Sequence, residues 1–229
     1  MDPRQLSASR RALIFDFDGV LADSEALANS VLAEIVTELG VPMTVEDSYR
    51  DFMGKRFGEV IETIERVVGR KLPADFAADY QRRTFESFRV GLKPVDGARE
   101  FLQAWRHVPL CIASSSSPER LALSLEVLDM AALFDGRVFS ASQVARGKPH
   151  PDIFLHAAEQ LGVSAEDCLV IEDSVGGVIA ARAAGATAIG FTAAGHVRPG
   201  LDAMLKQAGA HDVARSFAEL DRLIRPLWN

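Results

Sequence analysis

The sequence predicts an α/β protein: a parallel sheet covered on both faces by helices and interrupted early by a wholly helical insert. Short continuous apolar runs recur along the chain, amphipathic stretches lie between them, and one long early segment has helical periodicity with no strand. Apolar runs of about four to six residues suit strands buried on both faces. Their alternation with helices implies βαβ units and an open, doubly wound sheet.

The first run is Ala12–Phe15. After it, Leu27, Val31, Ile35 and Leu39 recur every four residues, closed by Gly40 and Pro42. Val60, Ile61, Ile64, Val67 and Val68 form a second stripe closed by Gly69 and Pro73. Phe76, Tyr80, Phe85 and Phe88 form a third, closed by Gly91 and Pro94. Each stripe is one apolar helix face, and each Gly…Pro pair is a helix stop. The later runs Leu110–Ala113, Cys168–Ile171 and Ala186–Phe191 are further strands. Helical patterns over Pro118–Asp129, Asp152–Gly162 and Val175–Gly185 separate them. Residues 1–24 and 94–229 are therefore assigned to a discontinuous core, and 25–93 to a helical domain inserted in it.

Composition narrows the function classes. The 229 residues are 48% hydrophobic, enough for a sizeable core. Twenty-five basic residues against 32 acidic give a net charge of −7 with no basic block, which argues against a nucleic-acid partner. No run approaches the roughly 18 apolar residues of a membrane span. The first apolar run is cut at once by Asp16 and Asp18, unlike a secretory signal. Cys111 and Cys168 each sit inside an apolar run and read as buried free thiols. A cytoplasmic protein with no membrane partner is the expectation.

The polar residues fall at the strand ends. Asp16 and Asp18 follow the first run, Ser114 to Ser116 the second, and Glu172 and Asp173 the third. In an open parallel sheet the carboxyl ends of neighbouring strands face one crevice, the usual ligand site. Lys148, in Gly147-Lys148-Pro149, lies just before a helix start and can join them. Crowded carboxylates repel one another, so a cation is the natural remedy; oxygen donors without Cys or His favour Mg²⁺. Ser116 and Glu119 also have capping-box spacing for the helix that follows, and Glu172-Asp173-Ser174 can cap the helix from Val175.

Taken in order, D-F-D-G-V-L-A-D-S-E, A-S-S-S-S, G-K-P and I-E-D-S resemble the four motifs of the haloacid dehalogenase superfamily of phosphohydrolases. Within it the chain is most similar to subfamily IA, the β-phosphoglucomutase and sugar-phosphatase branch, whose α-helical C1 cap follows the first strand. The resemblance implies a Rossmann-like core, a Mg²⁺ ion, and hydrolysis of a small phosphorylated metabolite through a phosphoaspartate, in a monomer or weak homodimer. It implies that Asp16 is the nucleophile and Asp18 the general acid and then base. Ser114 and the Ser115 backbone would bind the phosphoryl group with Lys148. Asp16, the Asp18 carbonyl, Asp173 and Glu172 would form the metal site.

Departures from the family pattern narrow the reaction. Asp18 argues against carbon–halogen hydrolysis, because the dehalogenases lack that second aspartate. Where β-phosphoglucomutase has a cap-hinge histidine and a cap arginine, this chain has Ala28 and Phe57. A phosphatase for a sugar or sugar-acid phosphate is therefore the expectation, with a β-phosphoglucomutase-like isomerase as the alternative. Lys55 and Arg56 in the insert are the candidates for substrate selection.

Overall fold

The computed structural model describes residues 11–52, 57–195 and 197–228. Six strands form one parallel sheet: β1 (Ala12–Phe15), β2 (Leu110–Ser114), β3 (Val138–Ser140), β4 (Cys168–Glu172), β5 (Thr187–Phe191) and β6 (Asp212–Ala214). Their spatial order is β3-β2-β1-β4-β5-β6. The four expected strands are the four central ones. The two that periodicity does not reveal, β3 and β6, are three residues each and lie at the sheet edges.

The chain separates into two compact units, residues 1–23 with 94–229 and residues 24–93. In the first, side chains alternate between the sheet faces, as the period of two requires. Ala12, Ile14, Cys111, Ala113 and Val170 join one apolar cluster with helices α7 (Asp152–Leu161), α8 (Val175–Ala183) and α9 (Leu201–Gln207). The alternate residue Phe15 meets Phe101 of α5 (Ala98–Ala104) edge-on, with centroids 6.0 Å apart. Phe101 in turn lies 5.2 Å from Phe217 of α10 (Phe217–Trp228), and Phe217 lies 4.7 Å from Phe191. The remaining core helix, α6 (Pro118–Val127), follows β2.

The second unit is all helical: α1 (Glu25–Glu38), α2 (Val45–Phe52), α3 (Phe57–Val68) and α4 (Phe76–Gly91). Val31, Ile35, Phe52, Val60, Ile64 and Phe76 form its apolar core. The three sequence stripes correspond to α1, α3 and α4. Helix α2 carries little apolar signal because only Ser48 and Phe52 are buried along it. A buried hydrogen bond from Ser48 Oγ to Asn29 Oδ1 (2.8 Å) ties it to α1. Arg83 donates to both oxygens of Glu38 at 2.7 and 2.8 Å, a bidentate clamp between α4 and α1. Among the described residues no helix is long and apolar enough to cross a membrane.

Both cysteines are free and buried. Burial pushes the Cys168 thiol up to about 12 and raises Cys111 further. The reactive thiolate is therefore suppressed twice, by acidity and by access. A disulfide-exchange reagent at pH 8 should label almost no thiol in the native protein and both in denaturant, read from the absorbance of the released thiolate.

Candidate active site

The site is assembled where the sheet reverses its strand order. From β1 the chain goes to β2 and β3 on one side and later returns to β4 on the other. The ends of β1 and β4 thus border the crevice of a doubly wound sheet. Asp16 directly follows β1, and its N–H donates to the Ile171 carbonyl of β4 at 2.9 Å. Its side chain is 11% exposed. After Phe17 the chain leaves strand geometry: Gly19, at φ 78°, donates to Ala22, while Leu21 and Ala22 donate to the Phe17 carbonyl. A side chain at Gly19 would be strained in that left-handed conformation. This tight loop turns the chain immediately after Asp18.

Lys148 meets these residues from a loop more than a hundred positions away. Its Nζ donates to Asp16 Oδ1 and to Glu172 Oε1, each at 2.6 Å. It also lies 5.1 Å from the ring centroid of buried Phe154 on α7. Glu172 is fully buried. Its second oxygen accepts from the Ser174 N–H at 2.8 Å and the Ser174 hydroxyl at 2.9 Å. The Ser174 hydroxyl also accepts from the Gly177 N–H, capping α8. Capping and charge fixation are thus performed by the same residues.

Asp16, Glu172 and Asp173 offer carboxylate oxygens within 4.8 Å of one another. Burial, with Glu172 and Asp173 alongside, pushes the Asp16 carboxyl well above its usual range, and Lys148 opposes this. Burial would lower Lys148, but Asp16 and Glu172 outweigh it and hold the ammonium charged. Three carboxylates thus crowd together, and their all-oxygen donor set fits a hard divalent cation such as Mg²⁺.

On the β2 side, Ser114 ends the strand that pairs with β1; it is 1% exposed, and its Oγ accepts from the Ser116 N–H at 3.1 Å. Ser115 is exposed. The cap of α6 is Ser117, which accepts from the Arg120 N–H, so the capping box suggested for Ser116 gives way to another contact. Ser116 Oγ instead donates to Asp18 Oδ2 at 2.5 Å, and Arg120 Nη2 donates to Asp18 Oδ1 at 2.7 Å. Lys55 and Arg56 lie outside the described residues. Arg120, Phe154 and Gly177 are site neighbours that the sequence does not single out, and Ser116, read there as a strand-end serine and helix cap, is a partner of Asp18.

The haloacid dehalogenase-like hydrolase family model matches residues 10–185. The chain belongs to that family. It is 37% identical over 180 residues to the phosphorylated carbohydrates phosphatase of Thermotoga maritima, covering 76% of this chain and 81% of that one. It is 29% identical over 189 residues to the 6-phosphogluconate phosphatase of Escherichia coli K12, covering 82% and 85%. Among solved structures it resembles a HAD family hydrolase from Deinococcus radiodurans R1, determined with bound phosphate and sodium. The TM-score is 0.81 at 36% identity, covering 97% of this chain and 98% of that one.

Two adjacent glycines separate crowding from helix propensity. A Cβ on Gly177 would stand 1.7 Å from Glu172 Oε1, whereas one on Gly176 meets nothing within 4 Å. Gly176→Ala should raise stability by up to about 1 kcal/mol. Gly177→Ala should lower it by about 1–3 kcal/mol through overpacking against a buried carboxylate. Paired thermal melts check the opposite signs.

Proposed function

We propose that the chain is a Mg²⁺-dependent phosphoric monoester hydrolase acting on a small phosphorylated carbohydrate or sugar acid. The observation that carries this is Lys148 clamped between Asp16 and Glu172 inside a cluster of three carboxylates, in a member of this hydrolase family. The relatives named for phosphorylated carbohydrates and 6-phosphogluconate support the substrate class.

In this reading an Asp16 oxygen attacks phosphorus as the bond to the leaving oxygen breaks, and Asp18 protonates that oxygen. The product is an aspartyl phosphate on Asp16 and a free alcohol. A water oxygen then attacks the same phosphorus, Asp18 takes its proton, and the bond to Asp16 breaks to release inorganic phosphate. Lys148 favours the ionised form of Asp16 against its burial and offsets the repulsion between carboxylate and phosphate. Ser114 and the Ser115 N–H bind the phosphoryl oxygens. Asp16, Asp173 and the Asp18 carbonyl would hold the metal, with Glu172 adding its charge beside them. When bound, Mg²⁺ supplies the positive charge that neutralises these carboxylates and polarises the phosphoryl group. Substrate selection is assigned to residues 25–93, with Lys55 and Arg56 as candidates.

A mutase would need to keep a doubly phosphorylated species from water. Position 57, where such an enzyme places a cation, is a phenylalanine stacked 5.5 Å from Tyr80 and 6.4 Å from Phe76. That favours hydrolysis.

Phosphate release should be measured over phosphorylated sugars, sugar acids, polyols and nucleotides with Mg²⁺ present. Turnover concentrated on sugar or sugar-acid phosphates is expected, and a flat profile would sink the substrate class. Asp16→Asn should lower kcat by about three orders of magnitude or more. Chelation should abolish turnover and added Mg²⁺ restore it. With β-glucose 1-phosphate, glucose and free phosphate are expected; glucose 6-phosphate without free phosphate would establish the isomerase instead.

A further inference from the structure

The Asp18 carboxylate is held by a residue of the serine motif and by one outside all four motifs. One oxygen receives Arg120 Nη2 at 2.7 Å, across 102 positions of sequence, and the other receives Ser116 Oγ. With one donor on each oxygen, rotation of the carboxylate plane is arrested as well as its position. The pair is shielded, with side-chain exposures of 19% for Arg120 and 14% for Asp18. Shielding separates it from surface ion pairs, which contribute little.

Both donors are themselves anchored. Arg120 lies in the first turn of α6, where its N–H donates to the Ser117 cap. The Ser116 carbonyl accepts from Ser140 Oγ at 2.7 Å, tying the serine loop to β3. A chain of contacts thus runs from the sheet edge through Ser140 and Ser116 to Asp18, and a second runs from α6 through Arg120. Neither Ser116 nor Arg120 is needed to explain Asp16, Lys148 or the carboxylate cluster.

We infer that Arg120, with Ser116, is a positioning residue for proton transfer: it aims the Asp18 carboxylate at the oxygen that leaves with the alcohol. The inference rests on the proposed role of Asp18. The step balances with Asp18 entering protonated: the phosphorus–oxygen bond breaks as the Asp16–phosphorus bond forms, and the proton passes to the leaving oxygen. The carboxylate left behind is the form that Arg120 and Ser116 hold. Arg120 itself exchanges no proton.

A residue that aims a proton donor matters in proportion to how much the leaving group needs the proton. An alkoxide needs it, while 4-nitrophenolate departs without it. Arg120→Ala and Arg120→Lys should therefore be compared with wild type on 4-nitrophenyl phosphate and on the sugar or sugar-acid phosphate turned over fastest in the screen. The alanine variant should lose at least about ten-fold more kcat on the alkyl ester than on the aryl ester, with KM moving little. Lysine, which keeps the charge but loses the planar fork, should recover part of the alkyl rate. Ser116→Ala should show the same selectivity in a milder form.

Equal losses on both esters, no loss, or a gain in kcat for Arg120→Ala would overturn the inference. A fall in Tm with equal losses would mark a merely structural ion pair. A gain would mean that the contact restrains Asp18. Asp18→Ala, run in parallel, keeps the two ideas apart. If Asp18→Ala discriminates between the esters and Arg120→Ala does not, the inference about Arg120 fails alone. If Asp18→Ala depresses both esters alike, the role of Asp18 fails and the inference falls with it.

Discussion

A lysine ammonium wedged between two carboxylates, inside a protein that has buried all three, is the constraint around which the rest is arranged. Lys148 stands 2.6 Å from both Asp16 and Glu172, and the side chains of Lys148 and Glu172 are 8% and 0% exposed. Removing such charges from water is expensive, and the cost is recovered only when each is paired and its remaining lone pairs are satisfied. The surroundings meet that demand. Glu172 has both oxygens engaged, the Phe154 ring faces the lysine, and the first turn of α8 carries two glycines, the second of which leaves room for the carboxylate. Asp173 brings a third carboxylate to the same cluster. Three carboxylate oxygens within 4.8 Å of one another set this cluster apart from a simple two-member ion pair.

The sheet makes this arrangement possible with few elements. Residues 16, 148 and 172 are far apart in the chain but meet because β1 and β4 are hydrogen-bonded neighbours with parallel ends. On the other side of β1, β2 delivers a serine loop in place of carboxylates. The central strand therefore separates two kinds of chemistry. Toward β4 lie the charged groups, and toward β2 lie hydroxyls, a helix start and the arginine that grips Asp18. Asp16 belongs to the first side and Asp18 to the second, although only Phe17 separates them.

Much of this was legible in the sequence because burial and chemistry leave different marks. The four central strands are covered on both faces, so each is an uninterrupted apolar run. The polar residues that end them stand out against that background. The edge strands β3 and β6 left no such mark, since three residues with one open side carry no period. Helix α2 was hidden for a related reason: it buries a serine as well as a phenylalanine, and its place is held by the Ser48–Asn29 hydrogen bond. Within the site, residue type announced the carboxylates and Lys148. The partners that orient them were silent. An arginine one turn into a helix reads as a solvated surface charge, and a phenylalanine in an apolar stripe reads as core. The lysine's pairing with Glu172, in addition to Asp16, required coordinates.

The point at which the helical segment leaves and rejoins the core has a consequence for descent. Ala22 bridges to Pro94, and the Val95 N–H donates to the Leu21 carbonyl at 3.0 Å, so the two ends of the excursion are stitched together at its base. A loop closed at its own root asks almost nothing of the sheet, and the entropy of closing it grows only slowly with length. Residues 24–93 lie beyond that stitch, and Asp16 and Asp18 lie before it. In descent, the paired stem is therefore the place at which the length of the inserted segment can change at little entropic cost.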